Sequence, residues 1–207
     1  MKKLSSIPLT GTALPSLAAR VTTPAYHRAS LTPAVVHLGV GGFHRAHQAV
    51  YLDDLARQGE TGWGETGVGL RSPAMRDALA PQDWLFTVVE RGRDDTARVV
   101  GSMMDYRYAP DDPEAVLSLL ADARTRVVTL TITGGGYPVG GDGGFLADDP
   151  DVRSDLARPQ VPVTAFGYLV AALDRRRAAG LPGFTVLSCD NMPDNGTAAQ
   201  TATLGLA

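Results

Sequence analysis

Glycines that follow a short apolar run near residue 40 are the residues of this sequence best suited to holding an anion. Residues 35–40 are apolar apart from His37 and Gly39, and Gly41 and Gly42 come directly after them. A switch from an apolar strand to glycines and then to helix formers is typical of a nucleotide-binding βα unit. Gly39 can take the left-handed backbone conformation of a tight turn, and the next two glycines leave room for a pyrophosphate. The following helix would point its unpaired N–H groups and its partial positive charge at that anion.

The glycine pattern departs from the usual dinucleotide-binding fingerprint at its last position. Counted from Gly39 it reads G-x-G-x-x-H, so His44 stands where the fingerprint has its third glycine. The loop alone therefore leaves two interpretations open, a dinucleotide site and an ordinary structural glycine turn. A cofactor site here would include the whole loop, namely Gly39, Val40, Gly41, Gly42, Phe43, His44 and Arg45.

Two histidines of this segment are spaced like metal ligands. His44 and His47 form an H-x-x-H pair, with Asp53 nearby. Zinc needs further ligands at a suitable spacing, and the sequence offers none, so we predict no metal site. We expect both histidines to face the cofactor phosphates or to cap the helix. His37, in the middle of the first strand, is expected to be a core residue with satisfied hydrogen bonds.

Two further apolar runs end in segments that could face a ligand. Residues 126–132 form a β-branched run that leads into Thr133, and the run 184–187 leads to Asp190 and Asn191. We expect both runs to be buried strands, and ligands of open α/β sheets bind beyond the carboxyl ends of the strands. Thr133 is therefore predicted to contact the cofactor. The Asn191 amide could donate to a developing alkoxide, or could form an Asx turn instead, whereas Asp190 is expected to be structural.

The rest of the chain alternates between strand and helix patterns. This alternation predicts an α/β, Rossmann-like fold with a mostly parallel, doubly wound sheet and a small antiparallel excursion. We divide the chain into an N-terminal arm, residues 1–33, and a dinucleotide-binding domain, residues 34–207. The expected helices are 45–58, 75–79, 113–122, 162–179 and one from about 197, the further strands are 67–71, 84–90 and 99–102, and 148–159 is a polar connector.

Composition excludes several classes of protein. The 207 residues are 44% hydrophobic and 20% charged, with a net charge of −3, so they can form a globular core but no basic surface for nucleic acid. No apolar run approaches the roughly 20 residues of a membrane-spanning helix. Residues 4–14 are too interrupted by polar residues for a signal peptide, and Cys189 is the single cysteine. We therefore expect a cytoplasmic protein without disulfides.

Two segments match a more specific sequence motif than the general dinucleotide-binding fingerprint. Residues 39–51 read Gly-Val-Gly-Gly-Phe-His-Arg-Ala-His-Gln-Ala-Val-Tyr, and residues 185–191 read Thr-Val-Leu-Ser-Cys-Asp-Asn. Both resemble the polyol-specific long-chain dehydrogenases, the family of mannitol 2-dehydrogenase, fructuronate reductase and arabinitol dehydrogenase. The resemblance implies an NAD-dependent oxidoreductase that oxidises a secondary alcohol of a polyol or sugar acid to the ketone, with Asn191 in its active site. Gly134 departs from the family, which usually has an acidic residue there.

The residues after the second predicted strand bear on the choice of cofactor. Dinucleotide-binding domains commonly have an acidic residue there for the adenosine ribose, and this chain has Arg71 and Ser72 instead. These residues could bind the 2′-phosphate of NADP, or Arg71 could pack on the adenine or face solvent. The family resemblance favours NAD, so we expect NAD, with NADP possible.

The resemblance also implies residues that this sequence lacks. The similar enzymes are zinc-independent and use a lysine from a mostly helical C-terminal domain as their general base, whereas Lys2 and Lys3 are the only lysines here. We therefore expect an N-terminal Rossmann domain only, whose activity alone is doubtful and which could act with a separate C-terminal domain chain. The alternatives are a non-catalytic dinucleotide-binding fragment and a small metal-dependent hydrolase built on His44 and His47.

Overall fold

Five parallel strands form the central sheet of the computed structural model, which describes residues 8–207. In this part of the chain the strands are β1 (Pro33–Leu38), β2 (Gly64–Gly69), β3 (Phe86–Glu90), β4 (Thr96–Val100), β5 (Met103–Tyr108), β6 (Val127–Leu130) and β7 (Thr185–Ser188). The central sheet has the order β5-β2-β1-β6-β7, and each neighbouring pair is parallel. This is the strand order 3-2-1-4-5 of a dinucleotide-binding fold, so the predicted Rossmann-like sheet is confirmed.

Strands β3 and β4 form a separate antiparallel hairpin, as the sequence predicts. Phe86 pairs with Val100 and Glu90 with Thr96, so β4 begins earlier than the expected segment 99–102. The sequence analysis did not predict β5, which lies at one edge of the central sheet beside β2. Tyr106 of β5 is buried while Arg107 is exposed, an alternation typical of an edge strand.

Helices cover both faces of the central sheet. The helices of the described residues are α1 (Leu14–Leu17), α2 (Gly42–Ala46), α3 (Gln48–Arg57), α4 (Ala74–Leu79), α5 (Pro113–Ala121), α6 (Pro150–Ala157), α7 (Ala165–Ala178) and α8 (Asn195–Leu206). Successive side chains of β1 point to opposite faces. Val36 and Leu38 pack in one core with α5, α7 and α8, whereas His37 stacks on His44 of α2. The sheet is therefore doubly wound.

Two helix predictions were wrong in detail. The helix expected at 45–58 begins earlier and is interrupted at His47, whose backbone angles of φ −126° and ψ −82° are not helical. The polar connector expected at 148–159 contains α6 instead. Asp149 caps that helix through bonds to the amides of Asp151 and Val152, and Pro150 follows the cap, which is a helix-start signal visible in the sequence.

Strand β7 was expected to be buried and is exposed. Its one neighbour among the described residues is β6, and Leu187 retains 50% of its accessible surface. The apolar composition of this run indicated burial, but an edge position leaves every second side chain open to solvent. None of the helices between residues 8 and 207 is long and apolar enough to cross a membrane.

The residues before β1 are attached to the hairpin side of the sheet. Arg28 donates hydrogen bonds to the carbonyl oxygens of Gly101 and Met103, and the Tyr26 hydroxyl donates to Asp53 at 2.5 Å. Asp53 is completely buried in α3, so this contact ties the segment firmly to the domain. The short helix α1 also lies in this segment. Lys2 and Lys3 lie outside the described residues.

Candidate functional site

The turn after β1 can be made only with glycine at its first position. Gly39 has a φ of +98°, and a Cβ atom built on it would collide with the carbonyl oxygen of Thr131. Gly42 has no heavy atom within 4 Å of the place of a Cβ, and Gly41 has only the Gly39 oxygen, at 3.8 Å. The backbone of the turn is therefore bare on its outer side. The left-handed backbone conformation predicted for Gly39 is confirmed.

The turn lies where the strand order of the sheet reverses. Strand β1 has β2 on one side and β6 on the other, and the chain leaves β1 at its carboxyl end. Open α/β sheets bind ligands in the crevice at this point. Helix α2 begins at Gly42, and no side chain caps its first turn. The geometry therefore offers an anionic group a glycine-lined crevice at the uncapped start of a helix.

Three other residues of the loop differ in how far they reach solvent. Phe43 is 55% exposed, and its ring stacks on His47 with centroids 4.4 Å apart. Arg45 is half-buried, and its Nε donates to the carbonyl oxygen of Gly41 at 3.2 Å. The Val40 side chain is buried in the core on the hairpin side, so Val40 can offer a ligand only its backbone.

The side chain of His44 does not lie where the sequence analysis placed it. It is completely buried, its ring stacks on His37 at 3.6 Å, and its Nε2 lies 2.8 Å from Oε1 of Glu65 on β2. It cannot contact a phosphate from this position. The third fingerprint glycine normally allows close packing of the helix on the strand. Here an imidazole fills that place and pairs with a buried carboxylate, which corrects the expected contact with the cofactor.

A chain of hydrogen bonds links the glycine turn to β6 through His37. Gln48 Nε2 lies 2.9 Å from the Thr129 hydroxyl, which lies 2.7 Å from His37 Nδ1. On the other side of the ring, His37 Nε2 lies 2.8 Å from the Thr131 hydroxyl, which donates to the Gly39 carbonyl at 2.7 Å. The Thr131 hydroxyl has one proton and donates it to the Gly39 carbonyl, so it accepts a hydrogen bond from His37 Nε2. The proton of a neutral His37 therefore lies on Nε2.

The electrostatic surroundings of His37 agree with this neutral form. Burial, followed by the neighbouring His44, holds the pKa of His37 well below its usual value. The expectation that His37 is a hydrogen-bonded core residue is therefore confirmed. Sequence analysis missed the partners of this network, although Thr129 of β6 and Thr131 just after it have the spacing of residues on one face of a strand.

Arg71 is exposed and follows the carboxyl end of β2. Its carbonyl oxygen accepts a hydrogen bond from the Tyr108 hydroxyl at 3.3 Å. The residue lines a cleft of about 260 Å³ between the end of β2, the loop after β6 and the start of α7. Gly135, Gly136, Asp149 and Asp151 also line it. The cleft adjoins the crevice at the carboxyl edge of the sheet, where the adenosine half of a dinucleotide would bind.

The loop after β6 is held by a carboxylate from the next strand. The amide of Thr133 donates to Asp190 Oδ1 at 2.8 Å, and the amide of Ile132 donates to Oδ2 at 3.0 Å. The Tyr137 hydroxyl also donates to Oδ2, at 2.7 Å. Burial, followed by the nearby Asp190, raises the pKa of Tyr137, so this hydroxyl stays protonated. Asp190 is therefore a structural carboxylate, as expected.

Asn191 lies directly after this carboxylate and is exposed. Within residues 8–207 its side chain makes no hydrogen bond, and the amide of Asn195 instead donates to the Asp190 carbonyl at 2.9 Å. Asn191 is therefore free to donate to a ligand and does not form the alternative Asx turn. The neighbouring Cys189 is half-buried, and burial raises the pKa of its thiol. In the same part of the chain no group of three or more histidine, cysteine or acidic side chains is placed to hold a metal.

Comparison with known proteins decides the family. The family model of the mannitol dehydrogenase Rossmann domain matches residues 33–207. The chain belongs to the mannitol dehydrogenase family. Mannitol 2-dehydrogenase of Cereibacter sphaeroides is 49% identical over 191 residues, which are 90% of this chain and 40% of that protein. Polyol:NADP oxidoreductase of Gluconobacter oxydans is 43% identical over 96% of this chain and 42% of its own length.

A solved structure of the mannitol dehydrogenase family has the same fold. Pseudomonas fluorescens mannitol 2-dehydrogenase, in a ternary complex with NAD and D-mannitol, superposes with a TM-score of 0.93 at 46% identity. The alignment covers 97% of this chain and 42% of that structure. The family resemblance inferred from residues 39–51 and 185–191 is thus confirmed. The chain spans about two-fifths of the length of these relatives.

Proposed function

We propose that this chain is the cofactor-binding part of an NAD-dependent oxidoreductase that converts a secondary alcohol of a polyol or sugar acid to the ketone. The observation that carries the proposal is the bare glycine turn at the strand-order reversal, where a Cβ on Gly39 would collide with Thr131, just after β6. Its similarity to a mannitol 2-dehydrogenase that holds NAD and D-mannitol supports the same choice. Bound NAD would supply the hydride acceptor.

Each candidate residue then has a defined part in the proposal. The bare backbone of Gly41 and Gly42 would lie against the pyrophosphate, with the Arg45 guanidinium beside it. Thr133, at the end of β6, would contact the cofactor near its reactive half. Asn191 would donate its amide N–H to the oxygen of the reacting carbon and stabilise the developing charge, a role that fits its exposed and unpaired side chain among the described residues.

The choice between NAD and NADP rests on Arg71. No carboxylate follows β2 directly, and the exposed guanidinium of Arg71 lines the cleft expected to receive the adenosine ribose. The relative from Gluconobacter oxydans is named for NADP, whereas the Pseudomonas fluorescens structure contains NAD. We propose NAD as the main cofactor and NADP as a second one that Arg71 would admit.

The remaining parts of the proposal concern what the chain needs to act. From the resemblance to the polyol-specific long-chain dehydrogenases, we propose a zinc-independent reaction whose proton acceptor is a lysine of a C-terminal domain, outside these 207 residues. The substrate would be a small polyol or sugar acid, and the compartment the cytoplasm. We keep the division into an arm, 1–33, and a dinucleotide-binding domain, 34–207, as part of the same proposal.

One observation favours a second candidate, a dinucleotide-binding fragment that is inactive without a partner chain. The chain covers 40–42% of its relatives, and its sequence has no lysine after Lys3. Binding without turnover is therefore the result we expect for the 207-residue chain alone. Turnover of mannitol with NAD⁺ by this chain would overturn the assignment of the base to another domain.

The test is fluorescence titration with NADH and NADPH, beside an NAD⁺-plus-mannitol assay. Gly42→Leu places a side chain where the pyrophosphate would lie, in space with no heavy atom within 4 Å, so it should abolish binding without unfolding the protein. Gly141→Leu is the matched control, because Gly141 also lies in open space but in an exposed loop. Equal affinity of both variants and the unchanged protein would refute the proposed site.

A further inference from the structure

Thr133 has a backbone conformation that threonine rarely adopts. Its φ of +64° is combined with a ψ of +161°, a region that is essentially restricted to glycine. Asp83 and Asp194 also have positive φ, but their ψ values of 35° and 33° place them in the ordinary left-handed helical region. A β-branched residue is the more disfavoured in such a conformation. Strain of this kind persists only where surrounding groups hold it, and it is frequent at ligand sites.

The group that holds Thr133 is the carboxylate of Asp190, 57 residues later in the chain. One carboxylate oxygen accepts from the Thr133 amide, and the other accepts from the Ile132 amide and the Tyr137 hydroxyl. Tyr137 is itself fixed, because its hydroxyl lies 2.7 Å from that of Ser188 and its ring packs on Phe166. The strained turn at Thr133 is therefore held by the side chains of Asp190 and Tyr137, each of which is fixed by further contacts.

We propose that Asp190 is a positioning residue that holds Thr133 in its strained conformation, so that the loop after β6 is preformed for the cofactor. Gly134 and Gly135, which follow Thr133, have open space around them and would face the ligand. Because Asn191 is the next residue, the same carboxylate also sets the place of the amide that would polarise the substrate. This inference rests on the proposed function.

The contacts of Asp190 require hydrogen-bond acceptors on both of its side-chain oxygens. All three groups that contact the carboxylate are donors, so a carboxamide at residue 190 would place its NH₂ against a donor. Asp190→Asn therefore keeps the shape and removes the restraint. Thr133→Gly removes the strain instead, because glycine adopts positive φ freely. A loop with both changes no longer needs the restraint to reach the same conformation.

Amide hydrogen exchange tests the restraint without any cofactor. The reporters are the amides of Gly136 and Tyr137, which bond to the carbonyls of Thr133 and Gly134 in the turn. We expect Asp190→Asn to speed their exchange about tenfold, or about 1.4 kcal/mol, and the added Thr133→Gly to restore most of the protection. Unchanged exchange in Asp190→Asn would overturn the inference, whether or not the protein binds a nucleotide.

Titration with NADH tests the consequence for the site. We expect Asp190→Asn to weaken NADH binding about tenfold in the unchanged protein but less than threefold in the Thr133→Gly background, because the loss depends on the strain at Thr133. Asp53→Asn is the matched control, since Asp53 also accepts from a tyrosine hydroxyl and a backbone amide but lies by the N-terminal segment. It should lower thermal stability and leave affinity unchanged.

The hydrogen-exchange and NADH-titration experiments together distinguish failure of the inference from failure of the proposed function. If the unchanged protein binds neither NADH nor NADPH, the proposed function fails, and hydrogen exchange still decides whether Asp190 restrains the loop. If Asp190→Asn weakens binding and Thr133→Gly does not rescue it, the strain argument is overturned. If Asp190→Asn lowers the melting temperature but leaves affinity unchanged, Asp190 is structural only and the inference is likewise overturned.

Discussion

The buried pair of His44 and Glu65 makes the most demanding prediction about this fold. Both side chains are completely buried, and the paired atoms lie 2.8 Å apart beneath the glycine turn. Glu65→Gln keeps the shape and replaces the carboxylate opposite the imidazole by an amide. Removing the carboxylate partner of a buried group costs about 1–3 kcal/mol, because the other group stays buried without it. At roughly 2–4 °C per kcal/mol, the melting temperature should fall by about 2–12 °C.

Urea and thermal unfolding measure this loss, and a double variant tests its cause. Replacing both groups by apolar residues, as in His44→Leu with Glu65→Met, should recover most of the stability, since apolar packing commonly substitutes for a buried polar pair. Asp148→Asn is the control, because its pair with Arg153 is exposed and should contribute nothing measurable. Refutation would come from a Glu65→Gln protein as stable as the original, or from a double variant no better than the single one.

Three further predictions concern the same edge of the sheet. Burial lowers the pKa of His37, so near pH 6 the unfolded chain binds a proton that the folded protein does not bind. The free energy of unfolding should therefore fall as the pH drops below about 6.5, by up to about 1.4 kcal/mol per pH unit. Urea unfolding between about pH 5.5 and 7 should show this pH dependence, and the His37→Gln variant should lack it. Gly39→Ala should lower the free energy of unfolding by about 2–4 kcal/mol, because residue 39 has a positive φ and its new Cβ would collide with Thr131. Gly180→Ala, with φ +67° and open space, should lower it by about 1 kcal/mol. Equal losses for the two variants in unfolding measurements would contradict the role of the collision. Arg71→Glu should weaken NADPH at least tenfold and leave NADH nearly unchanged in a titration, while equal losses would mean that Arg71 only packs on the adenine.

The features that sequence analysis predicted well depend on local chemistry. Gly39 has the positive φ that its place between a strand and a helix implied. The helix predicted from residue 113 begins there, because Asp112 caps α5 and Pro113 follows it, and such a cap is formed within a few residues. Gly180 has a left-handed conformation after α7, as a helix-ending glycine should.

The features that it missed depend on which strands become neighbours. His44 looks like a phosphate contact in the sequence, and it turns inward only because β2 brings Glu65 beneath it. The exposure of Leu187 follows from the edge position of β7, which its apolar sequence does not reveal. The strain at Thr133 is equally non-local, because Asp190 comes from another strand. A single sequence contains these residues but not their pairing.

The loops of the candidate site are held by contacts of one kind. The Gly39 carbonyl accepts from Thr131 of the neighbouring segment, and Thr133 donates to Asp190 of the next one. Each loop end is thus fixed by a polar side chain that follows an adjacent strand, not by its own local turn. Since these bonds are internal to the domain, the crevice does not need a bound ligand to keep its shape. Cofactor binding to such a preformed site loses little conformational entropy, which is why the charge and strain of a few buried residues should govern its affinity.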